Sequence, residues 1–292
     1  MRTIDAAQPK AIGLDFVFDR PTELSKDEEL LQSIRDARTP VVLGLLGARS
    51  FRSDRERTFQ AQFLAAANRP TGHLYFDGYH GPLVISDHVV RFHIGSYPGE
   101  PVRQSFAELL ATAAGASTPS KSPYISWLLM PRDGTETFLT VPAEHVLAQG
   151  GLPAPLPLEQ LLHDRIVLIG GNFADRDQHL IPLSVTDERR YQGLFIHARI
   201  VAQLLDRRSI WSLGWPFVLA SIALAAAGGF WVGRKERLEH FHLLIELLSI
   251  AVLIVISVVV FVSGGLIFPF VSVLLGWLAG VTGGVYSRWA SQ

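Results

Sequence analysis

From residue 11 to residue 47 the chain has the sequence AIGLDFVFDRPTELSKDEELLQSIRDARTPVVLGLLG, in which two apolar runs enclose a polar stretch with helical periodicity. The runs at 11–18 and 41–47 predict strands that are buried on both faces, and a helix is predicted between them over about 25–38. Glu28 would complete a capping box with Ser25 at the start of this helix. A strand, a helix and a second strand form a βαβ unit, so the two strands are predicted to be parallel.

The rest of the first 210 residues continues the alternation of strands and helices. RIVLIGG at 165–171 predicts another buried strand. The other predicted elements are helices at 56–68, 105–114, 142–148 and 193–206, short antiparallel strands within 73–97, and a hairpin of strands at 124–130 and 137–141 around Asp133-Gly134. For residues 1–210 the sequence therefore predicts the α/β fold class, with a mostly parallel sheet, flanking helices and a β-hairpin insertion.

Residues 211–292 differ from the rest of the chain because they are nearly free of charge. Of the 26 Lys and Arg and the 27 Asp and Glu, only Arg234, Lys235, Glu236, Arg237, Glu239, Glu246 and Arg288 fall here. The uncharged run 247–287 would be about 60 Å long as one helix, twice the ~30 Å core of a bilayer. It must therefore fold back, and Gly264-Gly265 before Pro269 is the expected break. Three helices, at about 211–233, 241–263 and 266–286, are predicted to form a bundle in the lipid bilayer.

The orientation of these helices is predicted from basic residues. The loop at 234–240 carries three of them and Arg288 follows the last helix, so the positive-inside rule places both in the cytoplasm. We therefore expect a multi-pass protein of the cell inner membrane with an extracytoplasmic domain over residues 1–210. In the third helix Gly276, Gly280 and Gly284 recur at four-residue spacing. This spacing predicts close packing within the bundle or against a second copy, and a homo-oligomer is expected.

Composition and motifs argue against several classes of function. A net charge of −1 argues against a nucleic-acid partner, and a chain without cysteine has no disulfide, thiolate metal site or cysteine nucleophile. Gly-x-Ser-x-Gly, His-Glu-x-x-His and Walker-type motifs are missing from the sequence. Glu239-x-x-His242 has the ligand spacing of a di-iron helix, but the other membrane helices carry no acid to complete such a site. We therefore predict no catalysis, no cofactor and no metal site.

Acidic residues lie at the carboxyl ends of two predicted parallel strands: Asp15 and Asp19 close the strand at 11–18, and others follow the strand at 165–171. In the second case they come after a Gly-Gly pair, and a histidine lies in the helix predicted to pack under the strand ends. Parallel strands end at one edge of a sheet, where α/β folds bind ligands. The predicted ligand-binding residues are therefore Asp15, Asp19, Asp175, Asp177 and His197. The alternatives are that the acids only form turns, that the glycines only form a tight strand exit, and that the histidine is a hydrogen-bonded core residue.

Several segments resemble a known family in their order along the chain. The most specific are RIVLIGGNFADRDQHLIPLS at 165–184 and YQGLFIHARIVAQLL at 191–205, and weaker similarities lie at 11–21, 104–111 and 141–150. Together with three membrane helices directly after the domain, they resemble the CHASE-type extracellular sensory domain of the second subfamily. The resemblance implies a sensor, not an enzyme, that binds an unknown small-molecule signal and passes it through the membrane helices to a cytosolic or membrane signalling partner.

Members of that family usually begin with a membrane helix and an additional strand, and end in a cytosolic output module. Neither feature is found in this sequence, so we expect an N-terminally incomplete domain or a sensor that works through a separate partner. The alternative to a sensor is a membrane-anchored α/β enzyme that uses Asp15, Asp177 and His197 at the carboxyl edge of the sheet.

Overall fold

The computed structural model describes most of the 292-residue chain, namely residues 1–47, 53–77, 89–93, 104–116, 122–128, 137–147, 157–171, 177–235 and 241–291. The chain forms two compact units, Met1–Ser209 and Ile210–Gln292. The first contains a four-stranded parallel sheet between helices, and the second contains three long apolar helices. The predicted α/β fold class and the three predicted membrane-capable helices are thus confirmed.

Four parallel strands form the central sheet of the first unit. They are β1 (Ala11–Asp15), β2 (Val41–Leu45), β3 (Thr71–His73) and β6 (Ile166–Gly170), in the order β3-β2-β1-β6. β1 pairs with β2 and with β6, and in the second pairing Asp15 lies opposite Gly170. Every residue of β1 before Asp15 is buried, because helices cover both faces of the sheet.

The helices of the first unit form a layer on each face of this sheet. One layer contains α1 (Arg2–Ala6), α2 (Leu24–Asp36), α3 (Asp54–Ala67), α5 (Ala143–Leu147) and α6 (Leu158–Leu162), and the other contains α4 (Phe106–Ala113) and α8 (Gly193–Leu205). Ile12 and Leu14 of β1 point to the first layer, whereas Ala11 points to the second, where it meets the core formed by Phe106 and Ile196. A strand that alternates between two apolar layers is buried from both sides. α7 (Ser184–Asp187) is a further single turn.

Side-chain hydrogen bonds set the starts of α2 and α4. The capping box predicted for the first of these is wrong, because α2 begins at Leu24 without a side-chain cap. The carboxylate of Asp27 instead turns back and accepts hydrogen bonds from the N–H (2.9 Å) and the hydroxyl (2.6 Å) of Thr22. A reciprocal capping box forms at α4, where the side chains of Ser105 and Glu108 each accept the backbone N–H of the other.

The predicted β-hairpin insertion is not seen in the described residues. Residues 124–128 contain one isolated antiparallel bridge, at Tyr124, and residues 137–141 contain no strand, while the turn between them lies outside the described residues. The first segment is held by α8, because Gln203 donates to the carbonyl of Tyr124 at 2.9 Å and accepts from the N–H of Ser126 at 2.6 Å. Backbone groups that bond to this side chain are not free to form a hairpin ladder.

Two short antiparallel pairs lie outside the main sheet. β4 (Phe76–Asp77) pairs with β5 (Phe92–His93), which matches the short antiparallel strands expected within 73–97. β7 (Gln178–His179) pairs with β8 (Tyr191–Gln192), directly before α8. The second pair therefore fixes the residues that follow β6 next to the start of α8.

The second unit contains α9 (Trp215–Gly233), α10 (His242–Gly264) and α11 (Phe270–Ala290), each long and apolar enough to cross a membrane. β9 (Trp211–Ser212) pairs with β10 (Leu266–Ile267), and the indole N–H of Trp211 donates to the carbonyl of Gly264 at 2.8 Å. The starts of α9 and α11 therefore lie at the same end of this unit, as three successive crossings require. Both helices begin about four residues later than predicted, because the preceding residues are in this strand pair.

Glycine residues allow α9 and α11 to pack closely. A Cβ atom at Gly280 or Gly284 would collide with the carbonyl oxygen of Ala226 or Phe230 in α9, and a Cβ at Gly229 of α9 would collide with the backbone of α11. Small residues at four-residue spacing permit such close approach of two helix backbones. The small-residue face predicted for the third helix thus packs inside the bundle, against α9.

Candidate functional site

The centre of the sheet has a topological switch point between β1 and β6. From β1 the chain continues to β2 and β3 on one side, and it enters β6 on the other side. In open α/β sheets this divergence leaves a crevice at the carboxyl ends of the strands, and ligands bind there. Asp15 ends β1 and Gly170 ends β6, opposite each other in register. The strand ends singled out from the sequence therefore flank the switch point.

Asp15 is a partly buried carboxyl that has no hydrogen-bond partner among the described residues. Its neighbour on β6 is glycine, and a Cβ on Gly170 would lie 3.3 Å from the Cβ of Asp15. Burial, followed by the negative charge of Asp177, raises the pKa of Asp15 from 3.8 to about 7, while His179 acts in the opposite direction. Asp15 therefore changes its charge near neutral pH, as functional carboxyls often do.

Asp177 joins this edge to the start of α8. Its backbone carbonyl and its Oδ2 both accept the N–H of Gly193, at 3.2 and 3.1 Å, and its Oδ1 lies 2.8 Å from Nε2 of His179. A Cβ on Gly193 would lie 2.6 Å from Oδ2 of Asp177, so any larger residue there would push this carboxylate away from the start of α8. The backbone of Asp177 has a φ of 55°, a left-handed conformation that Asp adopts more readily than most residues. The fold thus fixes a carboxylate on the first turn of α8, where the helix dipole favours negative charge.

His197 lies further along α8 and is only 2% exposed. Its ring is 4.4 Å from the ring of Phe76 and 5.0 Å from that of Phe106, measured between centroids. Burial, followed by the charges of His73 and His179, lowers the pKa of His197 to about 3, so the ring is neutral at neutral pH. Nδ1 of His197 has no hydrogen-bond partner in the described part of the chain. The burial fits a core histidine, but the unsatisfied nitrogen does not fit a fully hydrogen-bonded one.

Three of the five predicted site residues, Asp15, Asp177 and His197, lie around this edge. Asp19 lies in the loop after β1, and its carboxylate pairs at 3.3 Å with the adjacent guanidinium of Arg20. Asp175 lies outside the described residues. Ligand binding by these residues stays a prediction.

The same cluster contains three residues that were not in the predicted set. His179 on β7 contacts Asp177 and lies with its ring edge-on to that of Phe76, 5.5 Å between centroids. His73 is the last residue of β3 and acts electrostatically on His197. His73 closes a parallel strand just as Asp15 does, but it was missed because no parallel strand was predicted at 71–73. A single aromatic residue such as Phe76 gives no comparable signal in the sequence.

The carboxyl and imidazole groups of the cluster are of the kind that bind polar ligands reversibly. Among the described residues, no group of three or more His, Cys, Asp and Glu is placed to hold a metal ion. Two neighbouring carboxyls disfavour an anionic ligand, and favour a proton, a cation or a hydrogen-bond donor. The rings of His179 and His197 add groups that can donate or accept a hydrogen bond according to their tautomer.

The chain thus joins an α/β domain with a polar cluster at its switch point to three helices that are long and apolar enough to cross a membrane. The family model of the CHASE2 domain matches residues 1–231, which is most of the chain. The chain therefore belongs to the CHASE2 family of sensory, typically extracellular domains, and the resemblance drawn from the sequence is confirmed. No curated protein and no solved structure matches the chain.

Proposed function

We propose that this protein is a membrane sensor whose α/β domain lies outside the cytoplasm and binds a small-molecule signal at the carboxyl edge of β1 and β6. The bound state passes through α8 to the membrane helices and from them to a signalling partner. The observation that carries this proposal is the position of α8. Its first residue, Gly193, is held by Asp177 at the edge, and after its last residue, Leu205, the chain soon enters α9 at Trp215.

Buried polar side chains fix α8 in its middle. Arg199 is 1% exposed, and its guanidinium lies over the rings of Phe138 and Phe195 at 5.6 and 5.1 Å from their centroids. It also donates a hydrogen bond to the hydroxyl of Thr137 at 3.1 Å. A buried guanidinium that stacks and donates at the same time allows few alternative positions. The middle of α8 therefore moves together with the segment around Phe138.

The end of α8 is fixed in the same way. Gln203 is fully buried and bonds to the backbone of Tyr124 and Ser126 through both ends of its amide. Arg208, just after the helix, donates to the hydroxyl of Ser126 at 3.2 Å. A helix held at its start, middle and end responds as one body, so a displacement at Gly193 reaches Arg208.

A ligand can act on α8 only by binding more tightly to one of two arrangements. In the first arrangement, the carboxylate of Asp177 accepts the N–H of Gly193. In the second, a ligand group takes that carboxylate and the first turn of α8 is released. A cation or a strong hydrogen-bond donor competes best for a carboxylate, so we expect the signal to carry such a group.

The placement of the domain outside the cytoplasm is supported by the charges of the second unit. Arg234, Lys235 and Arg288 follow α9 or end α11, at the opposite end of these helices from β9 and β10. Because the chain has no cysteine, a single cysteine can report the orientation. A membrane-impermeant maleimide applied to intact cells should label Ser263→Cys and spare Ser291→Cys. The reverse pattern would contradict the orientation.

The binding function can be tested with the full chain in lipid nanodiscs. A library of small polar molecules, including amines, would be screened by thermal shift against the wild type, Asp177→Asn and Asp36→Asn. Asp36 ends α2 next to the amino edge of the sheet, so it is a matched control for the same chemical change. We expect stabilising compounds whose effect is lost in Asp177→Asn and kept in Asp36→Asn. Compounds that stabilise all three proteins equally would argue against this site.

Acid–base catalysis at the same edge is the second candidate function. It is favoured by Asp15, whose pKa is near 7, beside the hydrogen-bonded pair of Asp177 and His179. The two functions differ in what happens to the bound compound. Mass spectrometry after long incubation should recover every stabilising compound unchanged if the protein is a sensor, whereas conversion that depends on Asp15 would establish an enzyme.

A further inference from the structure

The first N–H of α8 is held by one residue, Asp177, through its backbone carbonyl at 3.2 Å and its carboxylate at 3.1 Å. Asp177 uses Oδ2 to accept the N–H of Gly193 and Oδ1 to pair with Nε2 of His179, at 3.1 and 2.8 Å. The first N–H groups of an α-helix have no partner inside the helix, so an external acceptor determines how firmly the first turn is held. Gly193 has no Cβ that would push this carboxylate away. Anything that moves or competes with the Asp177 carboxylate therefore removes one of the two acceptors of the Gly193 N–H and weakens the hold on the first turn.

Asp15 is placed to move that carboxylate. It lies at the end of β1 beside the first turn of α8, because a Cβ on the neighbouring Gly170 would lie 3.3 Å from the Cβ of Asp15 and 3.0 Å from the side chain of Leu194. Asp15 has no hydrogen-bond donor among the described residues, and its charge interacts with that of Asp177. Within the described chain, the charges of Asp177 and His179 act on the pKa of Asp15. Asp177 directly precedes β7, and His179 is the last residue of β7. The groups that act on the nearby His197 of α8 are His73 at the end of β3 and His179. β6 contributes only Gly170 at this position, and glycine carries no charge.

We propose that Asp15, Asp177 and His179 form a proton-sensitive latch on the first turn of α8. When Asp15 is neutral, Asp177 keeps both of its partners and holds Gly193. When Asp15 loses its proton, the two carboxylates repel each other, Asp177 withdraws from Gly193 and the first turn loosens. The latch itself involves no ligand, and only its use in signalling rests on the proposed function.

The ionisation of Asp15 gives the direction of the pH response. Burial and Asp177 raise the pKa of Asp15 from 3.8 to about 7. Between these values the folded protein holds a proton on Asp15 that the unfolded chain has lost. This group therefore makes the fold more stable as the pH falls from 7 towards 4, and contributes no further change above about pH 7. Proton binding thus favours the state in which the latch is closed.

His197 has the opposite dependence on pH. Burial, with His73 and His179, lowers the pKa of His197 from 6.5 to about 3. The unfolded chain then binds a proton that the folded protein does not, so this group makes the fold less stable as the pH falls below 6.5. The two contributions partly cancel in the wild type. A comparison between the wild type and a variant of Asp15 isolates the latch, because the contribution of His197 is common to both.

Hydrogen–deuterium exchange of the full chain in lipid nanodiscs, without added ligand, tests the latch. Protection of the amides in 193–197, corrected for the intrinsic exchange rate, would be compared at about pH 5.5 and about pH 8. In the wild type we expect roughly tenfold greater protection at the lower pH, the change that one pKa unit of interaction produces. Asp15→Asn should show the higher protection at both pH values, and the control Asp36→Asn should behave as the wild type.

Two results would overturn the latch: equal protection of the wild type at both pH values, or a pH response that persists in Asp15→Asn. If Asp15→Asn does not fold, Asp177→Ala, which removes the side-chain acceptor of the Gly193 N–H, decides the matter. It should show low protection of the first turn at both pH values, and a response like that of the wild type would overturn the proposal. Because no ligand is present, a failed latch leaves binding at the edge standing, and the thermal-shift screen tests that binding separately.

Discussion

The two edges of the central sheet differ in whether their polar side chains have hydrogen-bond partners. Before the strands, at the amino edge, the carboxylate of Asp5 accepts the N–H groups of Arg38 and Thr39, at 3.2 and 2.9 Å. At the same edge the guanidinium of Arg69 donates to the carbonyls of Ile34, Arg35 and Ala37 at the end of α2. These bonds satisfy backbone groups that helix ends leave without partners, so they serve the fold.

At the carboxyl edge, between β1 and β6, the corresponding groups are left without donors. Asp15 has no hydrogen-bond partner and Nδ1 of His197 has none, among the residues that the structure describes. The difference is local, because at the end of β2 the amide of Gln60 bonds to both the N–H and the carbonyl of Leu46. Polar groups that do not serve the fold are the ones that remain available to a ligand.

The pKa values of Asp5 and Asp15 differ in the same way between the two edges: the first is lowered and the second is raised. Burial would raise the pKa of Asp5, but hydrogen bonds from Thr39 and Arg38 and the charge of Arg38 outweigh it and lower the pKa. Burial and Asp177 raise the pKa of Asp15 to about 7, because His179 compensates only in part and Asp15 has no hydrogen-bond donor in the described part of the chain. A partly exposed carboxylate is therefore stabilising at one edge, and a more deeply placed one is destabilising at the other.

The largest expected loss of stability is in the second unit, where α11 has one glycine in close contact with another helix and one that is not. Gly280 of α11 lies against the backbone of Ala226, whereas a Cβ at Gly283 would approach only the ring of Phe230, at 3.8 Å. Gly280→Ile should separate α9 from α11 and destabilise the bundle by about 3 kcal/mol. Gly283→Ile should change the stability by less than about 1 kcal/mol. Thermal melts of the two variants in one detergent would show the difference, and similar melts would mean that the glycine face is incidental.

A change at the amino edge is expected to be the next largest. Asp5→Ala leaves the N–H groups of Arg38 and Thr39 without an acceptor, and should lower the free energy of unfolding by about 2 kcal/mol. Asp5→Asn keeps one carbonyl oxygen and should recover about half of that loss. Calorimetry of the first transition of the full chain in nanodiscs measures both variants. If Asp5→Ala were neutral, the amino edge would not serve the fold as the contrast requires.

At the carboxyl edge the equivalent change should have the opposite sign. Asp15→Asn removes a charge that the fold disfavours, so it should stabilise the protein at pH 8 and stabilise it much less near pH 4.5, where the folded wild type is neutral at Asp15 and the unfolded chain begins to bind the same proton. The full pKa shift would correspond to about 4 kcal/mol, but partial exposure to water reduces this, and we expect about 1–2 kcal/mol. Calorimetry at the two pH values tests the sign. Destabilisation at pH 8 would show that Asp15 has a stabilising partner.

The smallest effect is expected for an ion pair at the amino edge. Lys10 and Asp164 lie 3.3 Å apart, but their side chains are 48% and 68% exposed. Lys10→Ala should therefore change the stability by no more than about 0.5 kcal/mol, because solvent screens exposed pairs. A loss as large as that of Asp5→Ala would mean that surface charge, and not the pairing of backbone groups, distinguishes the two edges.

The sequence was sufficient to predict the fold class, three of the four parallel strands and the three membrane-capable helices, because each depends on apolar periodicity or run length. It predicted the carboxyl edge for the same reason: Asp15 and Gly170 follow apolar strands, and parallel strands end together. It did not predict the start of α2, where Asp27 bonds backwards to Thr22 rather than forming a capping box. That choice depends on the path of the chain before the helix.

The remainder of the candidate site depends on contacts that are distant in sequence. Neither spacing nor composition indicates that Phe76 packs on His197, or that Asp177 accepts the N–H of Gly193. The expected hairpin fails in its described residues for a related reason, because Gln203 takes the backbone groups of the first strand. In each case tertiary packing overrides a local pattern.

The central claim is that the state of the carboxyl edge reaches the membrane helices. Because the chain has no cysteine, spin labels at Leu224→Cys in α9 and Leu244→Cys in α10, both exposed positions, would be the only labels present. The distribution of distances between them would be measured by pulsed electron paramagnetic resonance in nanodiscs at about pH 8. We predict that Asp15→Asn shifts this distribution relative to the wild type, whereas Asp36→Asn leaves it unchanged. Identical distributions in all three proteins would contradict the claim.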